Sequence, residues 1–219
     1  MKEKKESYKH ILPHFQQPGQ AYFVTWCLQD SIPPKALAQY TLKLQEIKVQ
    51  IDFRKKHNEP DQMLEELTLE YYQIRKKYLQ VFDNLLAENP DRSINLNKPE
   101  LSDIIVEAMK FWEVNRIENY AWCIMPNHVH WVFLAKETDE IGNPVYLQDI
   151  LHSIKRHSAN QINKAVGRKG KFWQKESFDT TIRDDKHLMN AINYTLNNPV
   201  VAGFVKEWSD WPGCWCAGF

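Results

Sequence analysis

Two histidines separated by a single residue are the first groups in this chain that could carry out chemistry. His128 and His130 follow a Pro126-Asn127 turn and begin an apolar run. Because successive side chains of a β-strand point to opposite faces, both imidazoles would point the same way if this run is a strand. They could then bind one metal ion together. A lone His-x-His pair is a weak signal, so other parts of the chain have to supply further ligands or a nucleophile.

A helix expected near the C-terminus supplies candidates for both roles. Tyr194 and Asn198 are four residues apart, so they share one face of that helix. Asp184 can cap its start, and Pro199 is expected to end it, because the residue before a proline avoids helical geometry. The buried stripe of this helix is predicted to comprise Leu188, Met189, Ile192 and Leu196.

These groups would form one site if the helix lies across the sheet that carries the histidine pair. A phenol, an amide oxygen and two imidazoles would then meet, with positions left for water or phosphate. Such a set of ligands suits Mg²⁺ or Mn²⁺, and an ion of this kind can polarise a phosphodiester. A tyrosine hydroxyl is a poor nucleophile until its proton is removed or its oxygen is held in line. Its use makes sense where a covalent phosphotyrosine conserves the energy of a broken DNA strand.

The remaining elements predict an α+β fold that could position this site. Strands are expected over residues 21–28, 118–125, 128–134 and 171–182, and helices from residue 99, over residues 147–166 and after Asp184. Apart from one insertion, the first six elements follow the order of a ferredoxin-like βαββαβ antiparallel sheet with helices on one face. The last helix is then a C-terminal catalytic helix. We expect residues 1–219 to form one domain of this kind.

The insertion is a predicted helical hairpin over about residues 36–90. Its apolar residues recur every three or four positions on both sides of a short polar turn that contains Pro60. A structural arm and an arm for dimerisation or DNA gripping both fit this pattern. The two stripes comprise Leu37, Tyr40, Leu44, Ile47 and Ile51, then Leu64, Leu67, Tyr71, Ile74, Tyr78, Val81 and Leu85.

Composition narrows the class of protein. The chain has 28 Lys and Arg residues against 28 Asp and Glu residues, so no overall positive charge indicates nucleic-acid binding. The charged N-terminus leads into no long apolar run, and no 18-residue apolar span follows. We therefore expect no membrane segment and a cytoplasmic location. The four cysteines are expected to be reduced thiols, and they are Cys27, Cys123, Cys214 and Cys216.

DNA contacts would therefore depend on a local basic patch. From Lys155 to Lys175 the chain carries no acidic residue. Basic side chains near phosphates add salt-dependent affinity, and an aromatic ring can stack on an unpaired base. A solvated helix face, or packing against the sheet for Trp173, would explain the same residues. The predicted DNA-binding residues are Lys155, Arg156, Arg168, Lys169, Lys171, Trp173 and Gln174.

Taken together, the motifs resemble those of the HUH single-tyrosine transposases. The resemblance is strongest to the REP-associated tyrosine transposases, and it covers most of the chain outside the hairpin. Its main motifs are Met125-Pro126-Asn127-His128-Val129-His130 before an apolar run and the later Tyr194-x-x-x-Asn198-Pro199-Val200. Further similar segments are Leu12-Pro13-His14-Phe15, Pro18-Gly19, Tyr22-Phe23-Val24-Thr25, Gly170-Lys171-Phe172-Trp173-Gln174 and Asn198-Pro199-Val200-Val201-Ala202-Gly203.

The resemblance implies a specific activity and a specific site. Such transposases cleave single-stranded DNA beside a hairpin, form a 5′-phosphotyrosine with a free 3′-hydroxyl, and rejoin strands without an external energy source. By motif position, Tyr194 is the nucleophile. The implied ligands of Mg²⁺ or Mn²⁺ are His128, His130 and Asn198, with asparagine where other branches of the family have glutamine.

The resemblance also implies partners, and it leaves alternatives open. The implied partners are single-stranded or hairpin DNA at a prokaryotic nucleoid and a second copy of the chain as a homodimer. In this family the tyrosine helix can serve its own subunit or a neighbour's. The main alternative is a domesticated protein that binds hairpin DNA without strand transfer. A relaxase or replication initiator shares the two-histidine site but differs in tyrosine placement and in length.

Overall fold

The chain divides into two compact units in the computed structural model, which describes residues 7–9, 13–29, 31–33, 35–57, 61–88 and 94–218. The larger unit includes residues 15–29 and 94–218, and the smaller unit includes residues 35–57 and 61–88. Leu12 of the N-terminal motif and Pro60 of the predicted hairpin turn lie outside the described residues.

The helices and strands agree closely with the predicted elements. The helices are α1 (Ala38–Lys56), α2 (Asp61–Glu88), α3 (Pro99–Lys110), α4 (Leu147–Ala165) and α5 (Asp185–Val201). The strands are β1 (Ser7–Lys9), β2 (Pro13–Phe15), β3 (Ala21–Cys27), β4 (Ile117–Ile124), β5 (His128–Ala135), β6 (Phe178–Thr181) and β7 (Cys214–Cys216). β1 and β2 pair with each other in a separate two-stranded sheet.

The larger unit contains a five-stranded antiparallel sheet in the order β6-β3-β5-β4-β7. Within it, β3, β4, β5 and β6 take the spatial order of a ferredoxin-like βαββαβ sheet. The predicted α+β class is therefore confirmed. β7 is a fifth strand that the sequence analysis did not predict, and it pairs with the outer edge of β4.

Two helices, α3 and α4, cover one face of this sheet and enclose the main hydrophobic core. Pro99 occupies the first turn of α3, where its missing N–H costs no hydrogen bond. Alternate residues of the central strands β3 and β5 point into this core. They include the fully buried Trp26, Trp131 and Phe133, and the rings of Trp131 and Phe133 stack with centroids 3.7 Å apart.

The predicted fourth strand is shorter than expected. It was expected over residues 171–182, but β6 begins only at Phe178. The preceding segment joins the sheet through an isolated bridge between Leu28 and Trp173. After that bridge, the carbonyls of Gln174 and Lys175 accept hydrogen bonds from the ammonium of Lys155 and not from the N–H groups of a neighbouring strand. The chain therefore leaves the sheet between Trp173 and Phe178.

In the smaller unit, α1 and α2 pack against each other, as the predicted hairpin over residues 36–90 requires. Residues of both apolar stripes are buried, among them Leu44, Ile47, Tyr71 and Tyr78. No helix in the described part of the chain is long and apolar enough to span a membrane.

Candidate active site

The histidine pair lies on the sheet face opposite α3 and α4. β5 begins at His128, and alternation along the strand places His130 on the same face. The intervening Val129 points into the main core. Both imidazoles are buried, and His130 has no exposed surface. The orientation predicted from the spacing of the two histidines is thus the one that the structure shows.

Each imidazole is held through its Nδ1 atom. Nδ1 of His128 lies 2.5 Å from Oδ1 of Asn127, and Nδ1 of His130 lies 2.8 Å from Oγ1 of Thr25, its partner across β3 and β5. A carbonyl oxygen only accepts hydrogen bonds, so Nδ1 of His128 is the donor and its Nε2 carries a lone pair. A threonine hydroxyl can accept in the same way, which gives His130 the same arrangement.

The two Nε2 atoms lie 3.0 Å apart. Two cis ligands, each about 2.1 Å from one cation, would be separated by about 3.0 Å. Burial lowers the pKa of His130 to about 3, although a hydrogen bond with the Asn198 side chain opposes this shift. The ring is therefore neutral at pH 7, which is the form that binds a metal ion. This geometry fits a shared divalent cation.

Helix α5 packs on β4 and β5 on the same side of the sheet as the histidines. Asp184 caps its start, as predicted, by accepting a hydrogen bond of 2.7 Å from the backbone N–H of His187. Its buried residues are Ala191, Thr195, Leu196 and Pro199.

The predicted buried stripe of α5 is right for Leu196, which is buried, and for Leu188 and Ile192, which are partly buried, but it is wrong for Met189. Met189, assigned to that stripe, is 49% exposed, whereas the buried Ala191 and Thr195 had not been assigned to it. Tyr194 and Asn198 lie on the side of α5 that faces the histidines.

Tyr194 packs directly against the histidine site. Its ring meets Phe23 and His130 edge-on, with centroid separations of 5.5 Å in both cases. Its hydroxyl is buried and has no hydrogen-bond partner among the described residues. A buried hydroxyl without a partner costs stability, so this position suits a ligand oxygen or a cation.

Asn198 lies one helical turn after Tyr194, and its side chain hydrogen-bonds to His130. The described residues contain no group of three or more His, Cys, Asp or Glu side chains that could hold a metal ion. An amide oxygen is therefore the natural third protein ligand to join the two imidazoles.

Pro199 does not end the helix, contrary to the prediction, because α5 continues to Val201. A proline removes one backbone donor, and here the loss falls in the last turn of the helix. The final carbonyls are still satisfied: Asn198 accepts from the N–H of Ala202, and Pro199 accepts from the N–H of Phe204. Asn198 thus keeps the helical geometry that brings it to the same face as Tyr194.

Four of the predicted DNA-binding residues have exposed side chains. Three of them lie in the loop after α4, where Gly167 and Gly170 adopt positive φ angles of 67° and 98° that few other residues tolerate. The exposed residues are Arg156 on α4 and Arg168, Lys169 and Lys171 in that loop. Their exposure is compatible with phosphate contacts.

Lys155 has a different environment. Its ammonium donates to the carbonyls of Gln174 and Lys175 at 2.7 and 3.2 Å and to Oγ of Ser177 at 2.9 Å. Burial lowers the pKa of Lys155 to about 8. These three bonds tie α4 to the segment before β6, so the geometry does not support the predicted phosphate contact.

The neighbouring Trp173 and Gln174 also face inward. Trp173 is only 6% exposed, and its Nε1 donates to Oγ of Ser158 at 3.0 Å. Gln174 accepts a hydrogen bond from the thiol of Cys27 at 3.1 Å. The geometry supports packing against the sheet for Trp173 rather than base stacking, and it gives Gln174 a protein partner instead of DNA.

Sequence reasoning missed two residues that hold the histidines. Asn127 was assigned only to the turn, although its position next to His128 was a signal in the motif. Thr25 belongs to one of the segments that resemble the family, but no role could be given to it, because its contact with His130 depends on the register between β3 and β5.

Comparison with known proteins finds relatives among the transposases. Residues 92–198 match the family model described as "Transposase IS200 like". The chain is 33% identical over 99 residues to a Haemophilus influenzae protein assigned to the REP-associated tyrosine transposases, and 33% identical over 92 residues to the REP-associated tyrosine transposase of Escherichia coli. These alignments cover 43% and 42% of this chain, and 56% and 50% of the two relatives, so the chain spans about half the length of each.

A solved structure shares the fold of the chain. The structure of a REP-associated tyrosine transposase bound to a REP hairpin aligns with a TM-score of 0.50, 18% sequence identity, and coverage of 98% of this chain and 82% of the other. The resemblance that the two motifs indicated is confirmed at the level of the family. The part of the chain that matches the IS200-like transposase model, residues 92–198, contains both histidines, Tyr194 and Asn198.

Proposed function

We propose that this protein cleaves single-stranded DNA next to a hairpin and transfers the cut strand through a covalent bond to Tyr194. The observation that carries the proposal is the position of the Tyr194 ring, edge-on to His130 and one helical turn from Asn198. The family match and the names of the relatives support DNA processing by a transposase.

In this proposal, His128, His130 and Asn198 hold one Mg²⁺ or Mn²⁺ ion. The separation of 3.0 Å between the two Nε2 atoms and the neutral state of His130 support these roles. A bound ion of this type would polarise the phosphodiester and offset the negative charge that develops on it.

The Tyr194 oxygen attacks the phosphorus atom at the cleavage site and loses its proton. The bond between phosphorus and the 3′-oxygen breaks, which leaves a 3′-hydroxyl on one strand and a 5′-phosphotyrosine on the protein. In the reverse direction, a 3′-hydroxyl attacks the phosphotyrosine and releases Tyr194. The number of ester bonds is conserved in both steps, so no external energy source is needed.

Hairpin DNA is the partner that we propose for this activity. The protein of the similar fold was solved bound to a REP hairpin. In this chain the exposed loop with Arg168, Lys169 and Lys171 could contact the phosphates of such a hairpin, because basic side chains release counterions there.

The test is incubation of the full chain with hairpin-bearing single-stranded oligonucleotides and Mn²⁺, followed by a denaturing gel. We expect a covalent DNA adduct with the native protein and none with Tyr194→Phe. Tyr120→Phe is the matched control, because Tyr120 is a partly exposed tyrosine on β4, and it should retain the adduct. An adduct that persists in Tyr194→Phe would remove Tyr194 from its role. Hairpin binding without any adduct would favour the domesticated DNA-binding protein instead.

A further inference from the structure

Cys123 and Cys214, far apart in the sequence, face each other across strands β4 and β7. The backbone N–H of Ile124 donates to the carbonyl of Gly213, so the next pair along the ladder, Cys123 and Cys214, is a non-hydrogen-bonded pair. Such pairs have Cα atoms about 4.5 Å apart and side chains in close contact. This separation lies within the range of about 4.4–6.8 Å that a disulfide accepts.

The register that pairs these cysteines is fixed by close packing. A Cβ atom on Gly213 would overlap the carbonyl oxygen of Ile124, so only glycine fits there. The same carbonyl accepts a hydrogen bond of 3.0 Å from Nε1 of Trp211. β7 therefore has little freedom to slide along β4, and the two sulfur atoms stay within reach of each other.

Both thiols are reduced, and they share a hydrogen bond. Cys214 is partly exposed, whereas Cys123 is fully buried. A soluble oxidant therefore meets Cys214 first, and Cys123 is placed to react second.

We propose that Cys123 and Cys214 form a reversible intramolecular disulfide when the protein meets a small-molecule disulfide such as oxidised glutathione. The Cys214 thiolate attacks one sulfur of the oxidant and releases a first thiolate. Cys123 then attacks the mixed disulfide at the Cys214 sulfur, and the second thiolate leaves with the Cys123 proton. The two cysteines are oxidised by two electrons, and the oxidant is reduced to two thiols.

The Cys123–Cys214 disulfide would form next to the candidate active site. Cys123 lies directly across β4 and β5 from His130. The thiol of Cys214 donates to the carbonyl of Leu196 on α5, with a distance of 3.8 Å between Sγ and the oxygen. Disulfide formation removes this donor.

The test is equilibration of the full chain with oxidised and reduced glutathione, followed by alkylation, digestion and mass spectrometry. We expect a peptide linked through Cys123 and Cys214 in the native protein and none in Cys214→Ser. Cys216→Ser is the matched control, because Cys216 lies two residues along β7 but faces Ala121, and it should retain the link. A stable glutathione adduct on Cys214, or a link between Cys214 and Cys216, would overturn the proposal.

A second measurement on the native chain covers the case in which Cys214→Ser does not fold. A disulfide between β4 and β7 closes a long loop and restricts the unfolded chain. The oxidised protein should therefore unfold at a higher temperature than the reduced protein, and dithiothreitol should reverse the difference. Equal unfolding temperatures would contradict the proposed link.

Discussion

The hydrogen bond between Thr25 and His130 offers the sharpest test of how the histidine site is held. Both side chains are fully buried, and Oγ1 of Thr25 lies 2.8 Å from Nδ1 of His130. Thr25→Val keeps the shape of the side chain but removes the hydroxyl. The Nδ1–H group of His130 is then buried without an acceptor, which costs about 1–3 kcal/mol of stability.

The same substitution should weaken metal binding. Loss of a group that orients a metal-binding histidine typically lowers metal affinity tenfold to 100-fold, or by about 1.4–2.8 kcal/mol. The Mn²⁺ affinity can be measured by electron paramagnetic resonance of the free ion in a titration. Thermal unfolding without metal gives the stability term separately, at about 2–4 °C per kcal/mol for a chain of this size.

Thr195→Val is the matched control for this experiment. Thr195 is also fully buried, but its Oγ1 has no hydrogen-bond partner among the described residues. Removal of this hydroxyl should leave stability unchanged or raise it slightly, because an unpaired buried polar group is lost. Equal effects of the two substitutions on Mn²⁺ affinity would refute the orienting role of Thr25.

Two further predictions concern the smaller unit and the basic loop. Burial raises the pKa of Asp83, a residue of α2, from 3.8 to about 8. Its contribution to stability is therefore complete below pH 4 and is lost as the pH rises to about 8, because the folded state keeps a proton that the unfolded state releases. Asp83→Asn should flatten this pH dependence in urea denaturation, and parallel profiles would contradict the assignment. Replacing the three exposed basic residues of the loop after α4 by glutamine should make the affinity for single-stranded DNA less dependent on salt. The slope of log affinity against log salt concentration should fall in magnitude by up to about 2, since each phosphate contact adds about 0.7. An unchanged slope in filter-binding titrations would show that these side chains contact solvent and not DNA phosphates. These three residues are Arg168, Lys169 and Lys171.

The strands and the orientation of the histidines could be predicted because they depend on local alternation. A period of two along β5 places His128 and His130 on one face and Trp131 on the other, whatever the neighbouring strands are. The prediction that Tyr194 and Asn198 share one helix face held for the same kind of reason, since it depends only on the helical repeat.

The buried face of α5 could be predicted only in part in this way. The apolar residues of the helix indicated the buried side, but the sheet surface beneath α5 carries polar histidines and accepts small residues. Met189 is consequently exposed, while Ala191 and Thr195 are buried. Apolar residues occur on more than one face of α5, so packing against the sheet, and not the sequence pattern, determines which face is buried.

Contacts between distant segments were also beyond sequence reasoning. Lys155 and Trp173 are residue types that often contact DNA, but both of them point inward here. Lys155 donates a hydrogen bond to the segment before β6, and Trp173 donates one to α4. β7 has only three residues, within a tail rich in tryptophan, so no periodic pattern could mark it. Its pairing with β4 is evident only in the folded chain.

The short strand β7 also has a consequence for the solubility of the protein. Long, apolar edge strands promote pairing between chains and aggregation, and proteins commonly avoid this by ending their sheets with short strands. Here the edge strands β6 and β7 have four and three residues, while β3, β4 and β5 have seven or eight. By covering part of the outer edge of β4, β7 limits the backbone groups that another chain could pair with. Sequence changes in this C-terminal tail should therefore affect the yield of soluble protein as well as its stability.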